Sequence, residues 1–530
     1  MWVGDGTAAG GLLPGDEQAP VYVVANRGPL HPARPPRDGT ASQARLAGGG
    51  LVTALVAVAR QTPIWWIAVE AADANGAQDG AQDGYRTVPT HPGSVRARSL
   101  CVPRGAYRQY YERISNGLLW PLQHGMPRAD GEGGARHVAA DDERAWEQGY
   151  LAVNRAVAEA IIADIRRLDA ARQRRAVVLL QDYHLYCVAG MLRPALPWLA
   201  LAHFVHIPWP EVRCWRTLPP GYAAQILGGL LHNHVVGLQT TRDVGNFVAC
   251  VVDCFPDALA EPAPRGAYLT WRGRRVLAGA FPIAIDPAQT RAMAAEAART
   301  ARTARTARTT RHAGAGFGAQ ERHERQVILR VDRMEPSKNV ARGIEAFALL
   351  LERHPEMRER VCFVMLLPPG RARSPGQRAY QRRVRDLVTT VNERFATKRR
   401  PVVVARYGHD RVRALAALRE FDVLLANSVA EGMHLVTKEG VLVNRRDGVV
   451  VLSRTAGVYA ELADGGCLGI APADIEETAE ALFIALSMPP TARRAMARSA
   501  RRTVASRTVM DWWREQMADI ASMAGGAEAE

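Results

Sequence analysis

The stretch "QVILRVDRMEPSKNVARGIEAFALLLERHPE", residues 326–356, decides how the second half of this chain folds. It opens with an apolar, β-branched run, continues through a short polar loop, and then places Ile344, Phe347 and Leu351 at helical spacing. A strand, a short loop and a helix in this order form the repeating unit of a parallel α/β sheet. The stretch therefore predicts one such unit, with its loop at the carboxyl end of the strand.

Short apolar runs of the same kind recur along the whole chain, separated by helix-length segments. The first half contains "VYVVAN", "IWWIAV", "AVVLLQ", "LAHFVHI" and "HVVGLQ", and the second contains "QVILRV", "VCFVMLL", "PVVVARY", "FDVLLANS" and "GVVVLS". Such runs, without polar alternation, are typical of parallel strands that are buried on both faces. Because 530 residues exceed one ordinary core, the two series predict two Rossmann-like, doubly wound α/β domains with a ligand cleft between them.

The boundaries follow from composition. We expect a flexible N-terminal tail over residues 1–19, a first Rossmann-like domain over 20–288, a low-complexity insertion over 289–325, a second Rossmann-like domain over 326–488, and a C-terminal helix and tail over 489–530. The insertion repeats the triplet Ala-Arg-Thr four times over residues 298–309. This pattern predicts a mobile, solvated segment, with a basic arm for nucleic acid as the alternative.

The charge balance favours an anionic ligand. The chain has 68 Lys+Arg against 53 Asp+Glu, a net charge of +15, and its only lysines are Lys338, Lys398 and Lys438. The arginines are spread along the chain and no aromatic-basic module occurs, so a phosphorylated small molecule is favoured over specific nucleic acid. A chain so rich in arginine is expected to keep lysine where a compact ammonium serves better than a guanidinium.

Several classes of function lack their sequence signals. There is no Walker A, HExxH or GxSxG pattern and no zinc-type cysteine spacing, and the seven scattered cysteines are expected to be buried thiols. No secretory signal and no membrane-length apolar run occur, so we expect a cytoplasmic protein without a membrane partner. We expect neither a metal nor another cofactor, and a homo-oligomer is compatible with the sequence.

Two strand ends in the second half carry candidate binding residues. Arg333 and Lys338 flank a predicted helix N-terminus. The planar guanidinium of Arg333 and the compact ammonium of Lys338 would together suit a diphosphate at such a position. The alternative is that this stretch is a solvated basic loop. In "NSVAEGMHLVTKEG", residues 427–440, Gly432 permits a tight turn, and Glu439 lies about two helical turns after Glu431. Glu439 could bind a vicinal diol such as a ribose, unless this stretch is a surface turn and an amphipathic helix.

The strand ends of the first half offer a second set. Their members are polar, aromatic or glycine residues beside predicted strands or at predicted helix starts: Arg27, Gly49, Gly50, Tyr110, Tyr111, Trp120, Asp182, His184 and His206. The two glycines would let the backbone approach a ligand closely, and the aromatic residues would offer a wall for a sugar face. Each residue alone also fits an ordinary core or surface position.

Together and in order, these segments resemble the trehalose-6-phosphate synthase family of retaining nucleotide-sugar glycosyltransferases with the GT-B fold. The resemblance extends from about Val21 to Met488, and several motifs are similar to an actinobacterial branch that also includes validoxylamine-type pseudo-glycosyltransferases. It implies transfer of glucose from UDP-glucose or GDP-glucose to glucose 6-phosphate, without a metal. It further implies retention without an enzymic nucleophile, the leaving diphosphate accepting the acceptor's proton.

The resemblance also implies roles for individual residues. The catalytic group would be Asp182, His206, Arg333 and Lys338. The donor would be bound by Gly49, Gly50, Arg333, Lys338, Glu431, Gly432, Met433, His434, Leu435 and Glu439, with His206 on the donor sugar. The acceptor would be bound by Arg27, Tyr111, Trp120, Asp182 and Arg371.

The chain departs from the family pattern in two places. Glu431-Gly432-Met433-His434 stands where the family usually has Asp-Gly-Met-Asn, and Ala68 replaces the second tryptophan of Trp-x-Gly-Trp. The first departure lies beside the expected donor sugar. Alternatives to the synthesis of trehalose 6-phosphate are a pseudo-glycosyltransferase that couples a nucleotide-activated cyclitol to an aminocyclitol phosphate, a glucosylglycerol-phosphate synthase, and a catalytically silent homologue that binds sugar phosphate.

Overall fold

The computed structural model describes residues 20–29, 49–72, 84–90, 94–126, 139–306, 325–370, 375–397, 400–408 and 410–526. The chain divides into two compact units. The first unit comprises residues 1–123, 131–283 and 509–530, and the second comprises residues 124–130 and 284–508. Each unit is built on one sheet.

The first unit contains a ten-stranded sheet. Its strands are β1 (Val21–Ala25), β2 (Ile64–Ala71), β3 (Arg86–Pro89), β4 (Ser94–Val102), β5 (Val177–Gln181), β6 (Ala200–Phe204), β7 (Val235–Leu238), β8 (Leu259–Ala263), β9 (Gly266–Trp271) and β10 (Arg274–Ala280). Their spatial order is β3-β4-β2-β1-β5-β6-β7-β10-β9-β8. The strands from β4 to β10 in this order are parallel, and β3, β9 and β8 add antiparallel edges.

The helices of the first unit surround this sheet. They are Gly50–Ala59, Arg104–Tyr107, Arg108–Leu119, Trp120–Gln123, Ala139–Ala145, Trp146–Leu151, Ala152–Arg166, Ala170–Arg175, Val188–Leu192, Val212–Trp215, Tyr222–Leu230, Thr241–Cys254 and Val509–Gly526. The segments Arg108–Leu119 and Trp146–Leu151 are π-helical. Such wide turns are rare and are frequently found at functional sites.

The second unit contains a six-stranded parallel sheet. Its strands are β11 (Gln326–Val331), β12 (Val361–Leu367), β13 (Val403–Tyr407), β14 (Val423–Ala426), β15 (Val449–Ser453) and β16 (Leu468–Ile470), in the spatial order β13-β12-β11-β14-β15-β16. Its helices are Pro287–Thr306, Pro336–Lys338, Val340–Arg353, Pro355–Met357, Pro375–Phe395, Arg411–Leu418, Leu435–Val443, Tyr459–Leu462, Ile475–Ser487 and Pro490–Ala505. Every residue of β12, β14 and β15 is buried, as their unbroken apolar sequences predict.

Both sheets share one winding order. Numbered from its first strand, the second sheet runs 3-2-1-4-5-6, and the parallel strands β4-β2-β1-β5-β6-β7 of the first sheet run the same way. In such a sheet the strand order reverses between strands 1 and 4, which are neighbours, and ligands bind at the carboxyl ends of these strands. The α/β fold with two Rossmann-like sheets is confirmed, and these switch points lie between β1 and β5 and between β11 and β14.

Part of the low-complexity tract is helical. The helix Pro287–Thr306 includes three of the four Ala-Arg-Thr triplets and contacts the helices Arg411–Leu418 and Leu435–Val443 of the same unit. Alanine and arginine are among the best helix formers, so the repeat continues the helix that begins before it. Residues 307–324 and the expected tail over residues 1–19 lie outside the described residues.

The C-terminal region forms two helices. Pro490–Ala505 packs on the second unit, whereas Val509–Gly526 contacts β6, β7 and the helix Gly50–Ala59 of the first unit. Within the described parts of the chain, no helix combines the length and apolar character needed to cross a membrane.

Candidate active site

The loop after β11 is tied to the loop after β14. A short 3-10 turn, Pro336–Lys338, is followed by Asn339 with a left-handed φ of 57°, a conformation that asparagine tolerates well. The Asn339 amide donates a hydrogen bond of 3.0 Å to the carbonyl oxygen of Asn427, and the Val429 N–H donates one of 2.8 Å to that of Ser337. These bonds hold the switch point of the second sheet in one geometry.

Lys338 lies at this switch point between two carboxylates. Its Nζ is 2.5 Å from Glu431 Oε1 and 3.6 Å from Asp332 Oδ1, and its side chain is 12% exposed. The structure thus brings together Lys338 and Glu431, two residues that the sequence assigned to a donor site. Here the ammonium is neutralised by side chains of the protein itself.

Asp332, directly after β11, is the centre of this group of charges. Its Oδ2 is 3.1 Å from Arg330 Nε and its Oδ1 is 3.4 Å from His434 Nε2. Burial opposes ionisation of this carboxyl, yet Arg330, then Lys338 and His434, hold its pKa below the ordinary value. Asp332 and Arg330 were not among the residues predicted from the sequence. Their charges, within and directly after an otherwise apolar strand, could have indicated a binding site.

The turn from Glu431 to His434 is held by the segment that follows β15. Gly457 N–H donates to the Glu431 carbonyl at 3.0 Å, Val458 N–H donates to that of Met433 at 2.9 Å, and a Cβ at residue 457 would overlap the Gly432 oxygen. The turn therefore depends on a close approach of two glycines.

His434 ends this turn in a left-handed conformation, with a φ of 78°, immediately before the helix Leu435–Val443. Its Nδ1 is 2.9 Å from Thr437 Oγ1, which orients the ring so that Nε2 faces Asp332. Met433 is buried and Leu435 is half-buried.

Glu431 is ionised in this setting. Burial opposes the charge, but Lys338, followed by the imidazoles of His434 and His124, keeps the pKa of the Glu431 carboxyl below its usual range. The carboxylate is therefore an effective partner for the ammonium of Lys338.

Arg333 and Glu439 have other partners. Arg333 Nε is 3.0 Å from Glu335 Oε1, and its side chain is 30% exposed. Glu439 Oε1 is 2.7 Å from Arg411 Nη2, and the adjacent Lys438 is paired with Glu461 at 2.7 Å. Burial lowers the pKa of Lys438. The sequence had no signal for Arg411, because its contact with Glu439 joins two different helices.

In the first unit, Asp182 and His206 meet at the ends of β5 and β6. Asp182 has a left-handed φ of 71°, and its Oδ1 accepts a hydrogen bond of 3.2 Å from the His206 backbone N–H. His206 Nε2 lies 2.9 Å from Gln181 Oε1. Burial, assisted by His203, lowers the pKa of His206 to about 3, so its imidazole is neutral at physiological pH.

The aromatic candidates surround the segment after β5. Tyr111 stacks on His184 with ring centroids 5.8 Å apart, and Trp120 lies 5.6 Å from Tyr183. The π-helical segment Arg108–Leu119 carries Tyr111 to this position. The two predicted wall residues therefore contact consecutive residues of one loop.

Of the remaining candidates of the first unit, Arg27, Gly49 and Gly50 are exposed, whereas Tyr110 is fully buried. The Arg27 side chain is exposed at the end of β1, and its backbone oxygen accepts a hydrogen bond of 3.0 Å from Trp66 Nε1. Gly49 and Gly50 are exposed at the start of the helix Gly50–Ala59, where Gly49 has a φ of 138°. Arg371 lies outside the described residues.

No group of three or more metal-ligating side chains occurs in the part of the chain that the structure describes.

Solved structures identify the class of protein. The α,α-trehalose-phosphate synthase (UDP-forming) of Burkholderia xenovorans, solved in complex with glucose 6-phosphate, is 27% identical and matches with a TM-score of 0.76 over 94% of this chain and 99% of that one. The α,α-trehalose 6-phosphate synthase of Burkholderia multivorans is 25% identical and matches with a TM-score of 0.79 over 97% and 98%. The protein is a glycosyltransferase with the GT-B fold.

The sequence relatives lead to the family. The trehalose-6-phosphate synthase of Mycolicibacterium vanbaalenii is 32% identical over 519 residues, which are 95% of this chain and 96% of that protein. The profile of glycosyltransferase family 20 matches residues 19–522. The chain belongs to glycosyltransferase family 20 and resembles its trehalose-6-phosphate synthases, which confirms the resemblance seen in the motifs.

Proposed function

We propose that this protein is a retaining glycosyltransferase that moves glucose from UDP-glucose or GDP-glucose to glucose 6-phosphate and forms trehalose 6-phosphate. The observation that carries the proposal is the position of Lys338 at the switch point between β11 and β14, beside the Glu431 turn. The B. xenovorans relative, solved with glucose 6-phosphate, supports the choice of acceptor.

In this proposal, the donor diphosphate binds Lys338 and Arg333 close to the N-terminus of the helix Val340–Arg353. Free N–H groups and the dipole of a helix N-terminus favour an anion. Negative charge develops on the diphosphate as its bond to the sugar breaks, so fixed cations stabilise the transition state more than the ground state.

The remaining residues keep the roles that the motifs suggested. The donor set is Gly49, Gly50, Glu431, Gly432, Met433, His434, Leu435 and Glu439, and the acceptor set is Arg27, Tyr111, Trp120, Asp182 and Arg371. His206, neutral and partly buried, can bind a sugar hydroxyl without adding a positive charge beside the electron-poor sugar ring. Glu439 remains the proposed ribose ligand, with Arg411 holding one of its oxygens.

The proposed reaction retains the configuration at the sugar. The bond from the anomeric carbon to the diphosphate oxygen breaks, and the acceptor hydroxyl oxygen bonds to the same face of that carbon. The hydroxyl proton passes to an oxygen of the leaving diphosphate, so no enzymic nucleophile is required. The products are a disaccharide phosphate and a nucleoside diphosphate.

A matrix of donors and acceptors tests the proposal. Purified protein is incubated with UDP-glucose or GDP-glucose and with glucose 6-phosphate, and both the released nucleoside diphosphate and the sugar product are measured. We expect release that depends on glucose 6-phosphate with at least one donor. If no common sugar nucleotide releases its diphosphate, sugar transfer is refuted.

Lys338→Ala tests the diphosphate site within the same assay. Turnover should fall by at least about a hundredfold, as expected for loss of a preorganised group that stabilises developing charge. Lys338→Arg retains the positive charge but replaces the compact ammonium by a planar guanidinium. Arg213→Ala, at an exposed position, is the control for general effects of a substitution. Near-normal turnover of a folded Lys338→Ala protein would remove Lys338 from the site.

A second candidate is a pseudo-glycosyltransferase that joins a nucleotide-activated cyclitol to an aminocyclitol phosphate. Glu431 and His434 replace the aspartate and asparagine usual in the family. They support this alternative because the turn that contains them is the one expected to lie beside the donor sugar. The donor-by-acceptor matrix separates the two functions when a nucleotide-activated cyclitol is included as a third donor.

A further inference from the structure

The two carboxylates that flank Lys338 are held very differently. Asp332 follows a buried strand, its side chain is 2% exposed, and Arg330 and His434 bind it in addition to Lys338. Glu431 lies on a turn, its side chain is 13% exposed, and its short contact is with Lys338. Asp332 is therefore a fixed partner of the ammonium, whereas Glu431 can rotate away.

The backbone of Glu431 need not move for this rotation. Its carbonyl oxygen accepts the hydrogen bond from Gly457, and the next residues of the turn are held through Met433. Only the side-chain torsions of Glu431 separate the paired arrangement from one in which the Lys338 ammonium faces another anion.

We propose that Glu431 competes with the diphosphate for Lys338 and thereby weakens the binding of a nucleoside diphosphate, including the reaction product. This inference rests on the proposed function, because it takes the diphosphate to bind at Lys338. A carboxylate 2.5 Å from the ammonium and a diphosphate group cannot both make the close contact without strong repulsion between like charges. Binding therefore includes the cost of breaking the Glu431–Lys338 ion pair.

The length of the Glu431 side chain is essential to this competition. An aspartate at this position, as is usual in the family, is one methylene shorter, which withdraws the carboxylate by about 1.5 Å. On this backbone it would leave the close contact with Lys338. The competition is thus a property that this chain gains from having glutamate at residue 431.

The test is calorimetric titration of UDP and of GDP into the full-length protein and its Glu431→Gln and Glu431→Asp variants. Glu431→Gln keeps the length and removes the charge, whereas Glu431→Asp keeps the charge and shortens the reach. Lys338 retains Asp332 as a partner in both. We expect Glu431→Gln to bind the preferred nucleotide at least about tenfold more tightly, a change of about 1.4 kcal/mol, and Glu431→Asp to change in the same direction.

Whether nucleotide affinity rises or falls in the Glu431 variants decides between competition and its absence. Unchanged or weaker nucleotide binding in both folded variants overturns the competition, because a residue that only contacts the sugar would leave UDP and GDP binding unaltered. Thermal melting and circular dichroism verify folding, and Glu431→Asp carries the test if Glu431→Gln does not fold.

The same measurements separate this inference from the proposed function. If the unaltered protein transfers glucose and neither variant gains nucleotide affinity, the competition alone is wrong. If the unaltered protein binds neither nucleotide, releases none from any donor, and the variants behave likewise, the proposed function and the competition are both wrong. Binding that appears only in the variants supports the competition.

Discussion

Arg330 is a buried charged residue that stabilises the loops of the candidate site without being exposed there. Its side chain is fully buried at β11, where it donates to Asn427 Oδ1 at 2.5 Å and to the Lys338 backbone oxygen and pairs with Asp332. A buried guanidinium needs several acceptors, and these come from both sides of the switch point. Arg330 therefore links two segments, the loop that contains Lys338 and the end of β14.

Arg27→Ala tests the acceptor site at the scale of one residue. Its exposed guanidinium can form a charge-assisted pair with a phosphate, so we expect the KM for glucose 6-phosphate to rise about tenfold or more while kcat changes less. Steady-state kinetics at saturating donor measures both constants. Arg213→Ala, at another exposed position, should leave both constants unchanged. An unaltered KM in the Arg27 variant would exclude Arg27 from phosphate binding.

The sequence drew attention to single residues but not to the pairs they form. Lys338 was conspicuous by the scarcity of lysine and by its place after a strand, and Glu431 by the turn that Gly432 permits. Their 2.5 Å contact had no sequence signal, because it depends on two strands that are distant in the chain and adjacent in the sheet. The contact between Arg411 and Glu439 also had no sequence signal, because it joins two different helices.

At the scale of elements, apolar periodicity predicted the buried strands because they have to be apolar on both faces. It did not predict the edge strands β3, β8 and β9, whose sequences contain arginine, proline or glycine and are partly exposed. Nor did it predict the π-helical turns that carry Tyr111, since wide turns have no sequence signature comparable to helical spacing. Such elements depend on tertiary packing.

Gly457→Ala tests the turn from Glu431 to His434 as an element. A Cβ at residue 457 would collide with the Gly432 backbone, so the turn would have to shift away from the segment that follows β15. We expect turnover to fall at least tenfold, because misplaced binding groups lose much of their effect on the transition state. Kinetics with the best donor measures this loss.

The matched control is Gly245→Ala. Gly245 lies exposed in the helix Thr241–Cys254, and its Cβ would meet open space. This change should leave turnover unchanged and raise the free energy of unfolding by about 0.5–1 kcal/mol, because alanine is the better helix former. If Gly457→Ala behaved like this control, the close approach of the glycines would be unnecessary.

At the scale of the whole molecule, the first unit is assembled from distant parts of the chain. Its last part is the helix Val509–Gly526, where Trp512 packs edge-on against Phe204 with ring centroids 5.3 Å apart. Arg265 adds ion pairs to Glu515 at 3.2 Å and to Asp519 at 3.0 Å. From the sequence we expected a separate C-terminal helix and tail over residues 489–530, because composition alone does not reveal which sheet this helix covers.

Trp512→Ala tests this attachment. The side chain is buried, so its loss should lower the free energy of unfolding by about 3–5 kcal/mol, measured by urea denaturation. Arg514→Ala changes an exposed residue of the same helix and should shift this free energy by less than about 0.5 kcal/mol. Equal stability of the two variants would show that the helix contributes little to the first unit.

The position of this final helix also affects how the protein is made. Synthesis delivers β6 and β7 long before the residues that cover them, so the growing chain carries an uncovered apolar face while the second unit is translated. The first unit reaches its complete packing only after the helix Val509–Gly526 has been synthesised. A premature stop within the final helix would therefore damage the part of the enzyme that was synthesised first.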